Sequence, residues 1–493
     1  MTRYPLTKCL LAICFSLLLT REANCQTADI PEDSPRLTTL VKVIRSSEPA
    51  IVALFMPIEQ GQLVSGGGTI IHPSGFILTN NHVLPGNQGL ALIGPELPQN
   101  QKPEQFQVVG RLPEKDLAII KLKSSGPFPA VPLGRSHDVL NGESIVVAGN
   151  PGGRGLVFTS GIVSSRSVLS GAPNALVMTN YKNSRRDTYI QFDAASNGGN
   201  SGGGLINMEG KLIGVVWGGI RQEQNIGFAI PVDQFHELVQ EIVEPELRNR
   251  REIGIELRPE GIAAVVASVL ENSAAAEAAI LPRDEIMAVN GETIRHRVDW
   301  ILTLYQLLPS GRKFSVTVKR GEESKDIFLT PRERAPIAAV PVNESDLEPG
   351  LSYRFYHGQY SLLPNFADLM PVREAVVTEV NLAEIRKDRQ DEFAIQLKGL
   401  LQVPNDSLYR LVLQSDDGSR MWLNGKLVID NDGNHQPQAR GRMLYLAKGF
   451  HEIEIGHFEG NGAEDLQFLF ERAGMNSLSP VPAEMLWHRK VTY

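Results

Sequence analysis

The chain has 493 residues, of which 42% are hydrophobic and 21% charged, with 45 Gly and 31 Pro. That length exceeds one ordinary core and predicts two to four domains, and the Gly and Pro content, with few long apolar helical patterns, predicts β-rich domains with many turns. A formal net charge of −8 suits a soluble protein and argues against nucleic acid as a main partner.

Residues 1–25 read as a secretory signal. Arg3 and Lys8 precede an apolar run from Cys9 to Leu19, and Ala23-Asn24-Cys25 offers small residues for cleavage before Gln26. The run is short for a bilayer span; a retained anchor helix is the alternative. The chain is therefore expected to be exported to the periplasm, the cell envelope or the medium. Cys9, Cys14 and Cys25 all lie in this segment, so the mature chain has no thiol, no disulfide and no cysteine-ligated metal, which excludes a cysteine protease. Loss of Arg3, Lys8, Arg21 and Glu22 with the signal leaves 45 basic against 55 acidic residues, a net −10.

After a polar leader, residues 37–47 are expected to form a short helix feeding the strand AIVALFM. From there to about Pro231, short apolar strands alternate with Gly, Pro and Asn turns, as in GGTIIHPSGFILTN, DLAIIKLK, ESIVVAGNPGG and KLIGVVWGG. This spacing suits two small antiparallel barrels. Asp233 to Arg248 reads as helix, with Phe235, Leu238, Val239 and Ile242 at helical spacing, and the charged LRNRRE as a linker. Residues 36–248 make the first domain.

Three of its segments carry chemistry. FILTNNHVL ends a strand at His82, EKDLAIIKL sets Asp116 just ahead of an apolar strand, and DAASNGGNSGGGL holds Ser201 in a Gly-rich turn. A serine hydroxyl becomes a useful nucleophile when an imidazole accepts its proton. The imidazole needs a carboxylate to set its tautomer, and the oxyanion formed on attack needs two converging N–H groups. The N–H groups of Gly199 and Ser201 are the expected donors, and Gly202 and Gly203 leave room for a substrate backbone. Each segment alone is also an ordinary histidine, turn acid or loop. In the order His, Asp, Ser over two barrel-like halves, they point to a serine endopeptidase with His82, Asp116 and Ser201 as its triad. His72, in a Pro-Ser-Gly turn, and His137, in a polar loop, are expected to face solvent.

These segments, together with SGGGTIIHPSGFILTNNHV, VVAGNPGG, FTSGIVSS and NIGFAIPVD, resemble the HtrA family of trypsin-like proteases over nearly all of residues 40–235. The resemblance implies a trypsin-like double β-barrel, no cofactor for catalysis, cleavage of unfolded or misfolded polypeptides, and a homotrimer or larger assembly. The chain departs from the family at Gly198 and Gly204, which stand where prolines flank the serine motif. It departs again at Val215-Val216-Trp217-Gly218, which looks closer to the Ser-Trp-Gly strand of digestive trypsin-like enzymes. Val216, Trp217 and Gly218 are therefore expected to pair with the substrate backbone. The segment MPIEQGQLVSGG is too short for the long inhibitory loop of some family members.

Residues 251–332 form a second domain. Glu252-Ile253-Gly254-Ile255 followed by AAVVASVLENSAAAEAAILPRDEIMAVNGETI resembles a bacterial PDZ domain, an α+β unit that holds a chain's C-terminal carboxylate in a nest of N–H groups. Ile253, Gly254 and Ile255 would supply those groups; a spacer domain with a structural turn is the alternative. A linker rich in Pro and charge, residues 333–349, leads to residues 350–493. There LSYRFYHGQY, the long FAIQLKGLLQVPNDSLYRLVLQSDDGSRMWLNGKLVIDNDG and GFHEIEIGHFEG resemble the PA-14 domain, a β-barrel or sandwich module often tied to carbohydrate. Asn424-Gly425 between alternating apolar residues predicts a hairpin. In lectin-like members two consecutive aspartates hold calcium across a cis peptide, and calcium holds sugar hydroxyls. Asp416 and Asp417 match that pair, with Asp430, Asn431 and Asp432 as further ligands if the loops converge. Asp-Asp-Gly is also an ordinary turn. The whole chain is thus expected to be mainly β.

Overall fold

The computed structural model describes residues 30–57, 63–94, 103–150, 155–169, 188–219, 225–387, 389, 391–462, 464–472 and 478–490. The segment read as a secretory signal lies outside them. Thr38 accepts the Val41 N–H and so caps α1 (Thr39–Ser47), which delivers the chain to β1 (Ile51–Pro57). With β2 (Leu63–His72), β3 (Phe76–Thr79), β4 (Gln88–Ile93), β5 (Glu104–Leu112) and β6 (Leu117–Leu122), β1 closes a barrel in the order β1-β2-β3-β6-β5-β4. A second closed barrel follows from β7 (Ser144–Gly149), β8 (Val157–Leu169), β9 (Thr188–Phe192), β10 (Gly204–Asn207), β11 (Leu212–Gly219) and β12 (Gly227–Pro231). Closure pairs every strand edge. The second barrel fills its interior with Ile145, Val147, Val163, Ile190, Phe192, Leu205, Ile213 and Val216.

Helix α2 (Val232–Val243) buries Phe235, Val239 and Ile242 against the first barrel. It was read as running on to Arg248. Instead it stops where Glu244 turns left-handed, at φ 40°, because the proline that follows disfavours helical backbone at this position. Pro245–Arg248 add one more turn, α3. The expected linker LRNRRE is in fact a seam. Arg248 is half-buried with Nη2 on the Ile242 carbonyl at 3.4 Å, and Arg251-Glu252 pair in register with Glu333-Arg332.

The second domain sets a four-stranded sheet, in the order Glu292–Thr293, Glu285–Val289, Phe314–Arg320, Glu323–Leu329, beside the Ile255–Leu257 and Val266–Val269 pair. Its two helices are α4 (Ala274–Glu277) and α5 (Arg297–Leu307). α5 packs against α2, its Tyr305 ring stands edge-on to Phe76 at 5.9 Å, and Gln306 Nε2 donates to Ser74 Oγ at 3.0 Å. One apolar core thus runs from the first barrel into this domain. The contact half-buries His72, expected at the surface: Ser74 Oγ lies 2.6 Å from its Nδ1, and burial lowers its pKa. His137 does face solvent, paired with Asp233 at 2.7 Å.

The last domain stacks an eight-stranded sheet on a four-stranded one around Tyr353, Phe355, Phe393, Leu411, Leu413 and Ile455. The predicted hairpin forms, with Asn424 at φ 48° and Gly425 at φ 75° between paired strands. The preceding linker lies along this domain: Ile337 N–H donates to Tyr445 O and Val340 N–H to Phe450 O.

Candidate active site

The end of β3 and the start of β6 bring His82 and Asp116 together. Pro113–Lys115 make a single 3-10 turn, and Asp116 leaves it left-handed at φ 52°, ψ 37°, a conformation aspartate tolerates better than most side chains. That twist aims the carboxylate back at the His82 turn. Asp116 Oδ1 accepts the His82 backbone N–H at 2.8 Å, and Oδ2 lies 2.6 Å from Nδ1. With the Asp116 side chain only 4% exposed and acceptor-only when ionised, Nδ1 carries the proton and Nε2 offers its lone pair.

Two residues that sequence reading missed hold this pair. Asn80, fully buried, donates from Nδ2 to Asp116 O at 2.9 Å and accepts the Gly202 N–H on Oδ1 at 2.7 Å, so one amide ties Asp116 to the Ser201 loop. Arg111, on β5, donates to Leu84 O at 2.6 Å, to Asn81 Oδ1 at 3.3 Å and to the Gly86 carbonyl, bracing the turn that carries His82. The signal for Asn80 was its place in TNNHV, an amide at the end of a buried strand. Nothing local marks Arg111.

Ser201 sits in the β9–β10 connection of the second barrel, stitched to the first by Gly67 N–H on Ser201 O at 2.8 Å. Gly202 adopts φ 82°, and a Cβ there would lie 2.2 Å from Thr79 Oγ1 and 2.3 Å from Gly67 O. Only glycine fits this approach of the two barrels. Ser201 Oγ donates to Trp217 O at 3.0 Å, and among the described residues it makes no hydrogen bond to His82. The N–H groups of Gly199 (φ 103°) and Ser201 have no internal partner among the described residues.

Of the strand expected to take substrate, Val216 has both backbone groups engaged: its N–H goes to Gly203 O and its carbonyl to Gly202 N–H. It ties down the Ser201 loop. Trp217 tilts over Tyr189 with ring centroids 5.3 Å apart, and β11 bulges between Val216 and Gly218.

In the second domain the Ile253–Gly254 turn meets a carboxylate from its own chain. Glu246 Oε1 accepts the Gly254 N–H at 3.2 Å and Ile253 N–H also reaches Glu246, with Arg334 Nη1 3.8 Å from Oε2. Burial pushes Glu246 up to about 7 despite these donors. Ile255 instead pairs with Val269.

In the last domain, carboxylate oxygens of Asp416, Asp417 and Glu459 lie within 4.8 Å of one another, all three residues buried. Asp417 accepts N–H groups from His435 and Gly460, whereas among the described residues neither Glu459 oxygen has a hydrogen-bond partner. Burial and the neighbouring acids raise Glu459 to about 9 and Asp416 to about 6. The third acid comes from the end of the Gly449–Glu459 strand, not from residues 430–432. There Asp430 pairs with Arg420, Asn431 donates to Ser415, and Asp432 accepts Leu363 N–H. The Asp416–Asp417 peptide is trans, unlike the cis form the resemblance implied.

Three family models match the chain: a trypsin-like peptidase domain over residues 66–215, a PDZ domain over 252–330 and a PA14 domain over 347–473. A probable periplasmic serine endoprotease, DegP-like, of Brucella suis biovar 1 is 31% identical over 304 residues, covering 58% of this chain and 54% of that protein. The periplasmic serine endoprotease DegP of Salmonella typhimurium is 35% identical over 252 residues, covering 48% and 50%. The mitochondrial serine protease HTRA2 of Bos taurus is 29% identical over 336 residues, covering 61% and 69%. The chain spans about half the length of the first two of these. Among solved structures, the HtrA-type protease AlgW with tripeptide is 29% identical with a TM-score of 0.35, covering 61% of this chain and 98% of that one.

Proposed function

We propose that this chain, an HtrA-type trypsin-like peptidase carrying a PDZ and a PA14 domain, is a periplasmic serine endopeptidase that cuts unfolded or misfolded polypeptides. The observation that carries the reading is the His82–Asp116 pair, closed at 2.6 Å on a buried carboxylate and tied through Asn80 to the loop of Ser201. The reading requires Ser201 Oγ to leave Trp217 O and bond the Nε2 of His82, a rearrangement typical of sites that tighten when substrate binds. Oγ then attacks the scissile carbonyl carbon as its proton passes to Nε2. The new oxyanion takes the free N–H groups of Gly199 and Ser201. Collapse of the adduct expels the amine, which leaves with the proton from His82, and water repeats the sequence on the acyl-enzyme. Because Val216 is bonded to the Ser201 loop, substrate pairing falls to Trp217 and Gly218.

Peptide capture belongs to the second domain. A C-terminal carboxylate would take over the N–H groups of Ile253 and Gly254, displacing Glu246. The assembly is a homotrimer or larger. The test is cleavage of reduced casein by the wild-type chain and by Ser201→Ala, with and without C-terminal peptides. A wild type no faster than the variant under every condition sinks the endopeptidase reading.

A second reading concerns the last domain. The unpartnered, fully buried Glu459 carboxylate beside Asp416 and Asp417 suits a hard divalent cation, and calcium there would present open positions to sugar hydroxyls. Asp416, Asp417 and Glu459 would hold it and tether the enzyme to glycan. Calcium should raise the unfolding temperature of the wild-type chain, and Glu459→Gln should abolish that rise; equal behaviour of the two removes the cation.

A further inference from the structure

The last domain touches the protease directly behind the catalytic acid. Arg410, in the Ser407–Ser415 strand, reaches out of its own domain to Glu114, and Nη2 donates to both carboxylate oxygens at 2.6 Å. The two side chains are 6% and 9% exposed, so the pair is shut off from water. Glu114 lies in the turn Pro113–Lys115, and Asp116 N–H closes that turn on Pro113 O at 3.0 Å. One residue, Lys115, therefore separates the Arg410 contact from the left-handed Asp116, inside a turn closed by one hydrogen bond.

Glu471, the register partner of Arg410 on the adjacent strand, lies in the field of Arg111, the residue that braces residues 81–87. Glu241 and Arg248, from α2 and α3, and Arg440 and Arg442 of the last domain belong to the same charge cluster.

We propose that Arg410 is a positioning residue for the protease: by holding Glu114 it fixes the turn that presents Asp116 to His82. The inference rests on the endopeptidase reading for its kinetic consequence, but not for the geometry it describes. An unpaired buried carboxylate cannot stay where Glu114 sits; without Arg410 the turn opens toward water and the Asp116 twist relaxes with it. Misplacement of an acid on this scale lowers the chemical step and leaves substrate binding alone.

The experiment compares wild type, Arg410→Ala, Arg410→Lys and the neutral pair Glu114→Gln/Arg410→Gln in the full chain. Three readouts are taken: kcat and KM on a peptide substrate, the rate of Ser201 labelling by a fluorophosphonate against pH, and the downfield proton resonance of the His82–Asp116 hydrogen bond. Arg410→Ala is expected to lower kcat and labelling roughly 10- to 100-fold with KM nearly unchanged. It should also shift the lower limb of the pH–labelling profile and displace or broaden the resonance. Arg410→Lys and the neutral pair should recover most of each, since neither leaves a charge buried alone. A folded Arg410→Ala chain with wild-type kcat and resonance overturns the proposal, as does a neutral pair as impaired as Arg410→Ala. If the wild type neither cuts nor labels, the endopeptidase reading fails, and the resonance still decides whether Arg410 holds the Asp116 turn.

Discussion

Asn80 shows how much of the site's geometry rests on a side chain that does no chemistry. Its amide faces Asp116 O on one side and Gly202 N–H on the other, so Asn80→Ala loosens the acid and the nucleophile together. Both partners keep a second hydrogen bond, to Asn81 N–H and Val216 O, which limits the stability loss to about 1–2 kcal/mol. Activity should fall further than stability: casein cleavage at a temperature where the variant is fully folded is expected to drop at least tenfold. Equal activity would assign Asn80 to folding alone. Glu246 makes the opposite case, a residue whose removal should help. Glu246→Ala frees the Ile253 and Gly254 N–H groups and should tighten binding of a fluorescent C-terminal peptide, read by anisotropy; unchanged or weaker binding places the peptide elsewhere. Of the residues around the site, His82, Asp116 and Ser201 were legible because each stands in a local pattern with a chemical reason. Arg111 and Glu459 were not, since their partners come from distant segments and nothing beside them in sequence marks the contact; Asn80 had only its place at the end of a buried strand in TNNHV.

At the scale of elements, strand and turn placement followed the local signals closely. The Asn424-Gly425 hairpin and the strand before His82 appear where alternation and turn chemistry put them. Errors fell at element ends. α2 was read past Glu244 because the apolar spacing continues, whereas Pro245 breaks the backbone there. The junction of β5 with α2 is tight: a Cβ on Gly110 would stand 1.7 Å from Ile242 O, at the bulge where β5 shifts register. Gly110→Ala should therefore cost about 3 kcal/mol or more by forcing the helix off the barrel, seen as a lower urea midpoint. A midpoint within error of wild type would mean the bulge yields freely.

For the whole molecule, the junction of barrel, α2–α3 and last domain is built of buried charge. Glu244, 9% exposed with Oε2 unpartnered, is pushed up to about 7 by burial, against the pull of Arg442, Arg248 and Arg334 and with the push of Glu241. Its ordinary value is 4.5, so the folded chain holds a proton that the unfolded chain releases between these values. Stability from this group is full below about 4.5 and is lost as pH rises to about 7, roughly 3 kcal/mol in all. Glu244→Gln should flatten that decline in a thermal-unfolding series from pH 4.5 to 8; an unchanged slope would place the titrating group elsewhere. Among the described residues no helix is long and apolar enough to cross a membrane.

The candidate triad was the chain's clearest feature before any fold was known, and local pattern alone pointed to three things: the mainly β class, the proposed order of the three domains, and the candidate triad. All depend on short-range patterns, such as alternation, turn residues and a polar side chain at the end of an apolar strand. The tertiary structure alone decided which carboxylate meets the Ile253–Gly254 turn, which acid joins Asp416 and Asp417, and that Arg410 pairs with Glu114 two residues before Asp116. Those contacts join residues far apart in the chain. A charged side chain carries no local sign of the partner that will neutralise it once water is excluded.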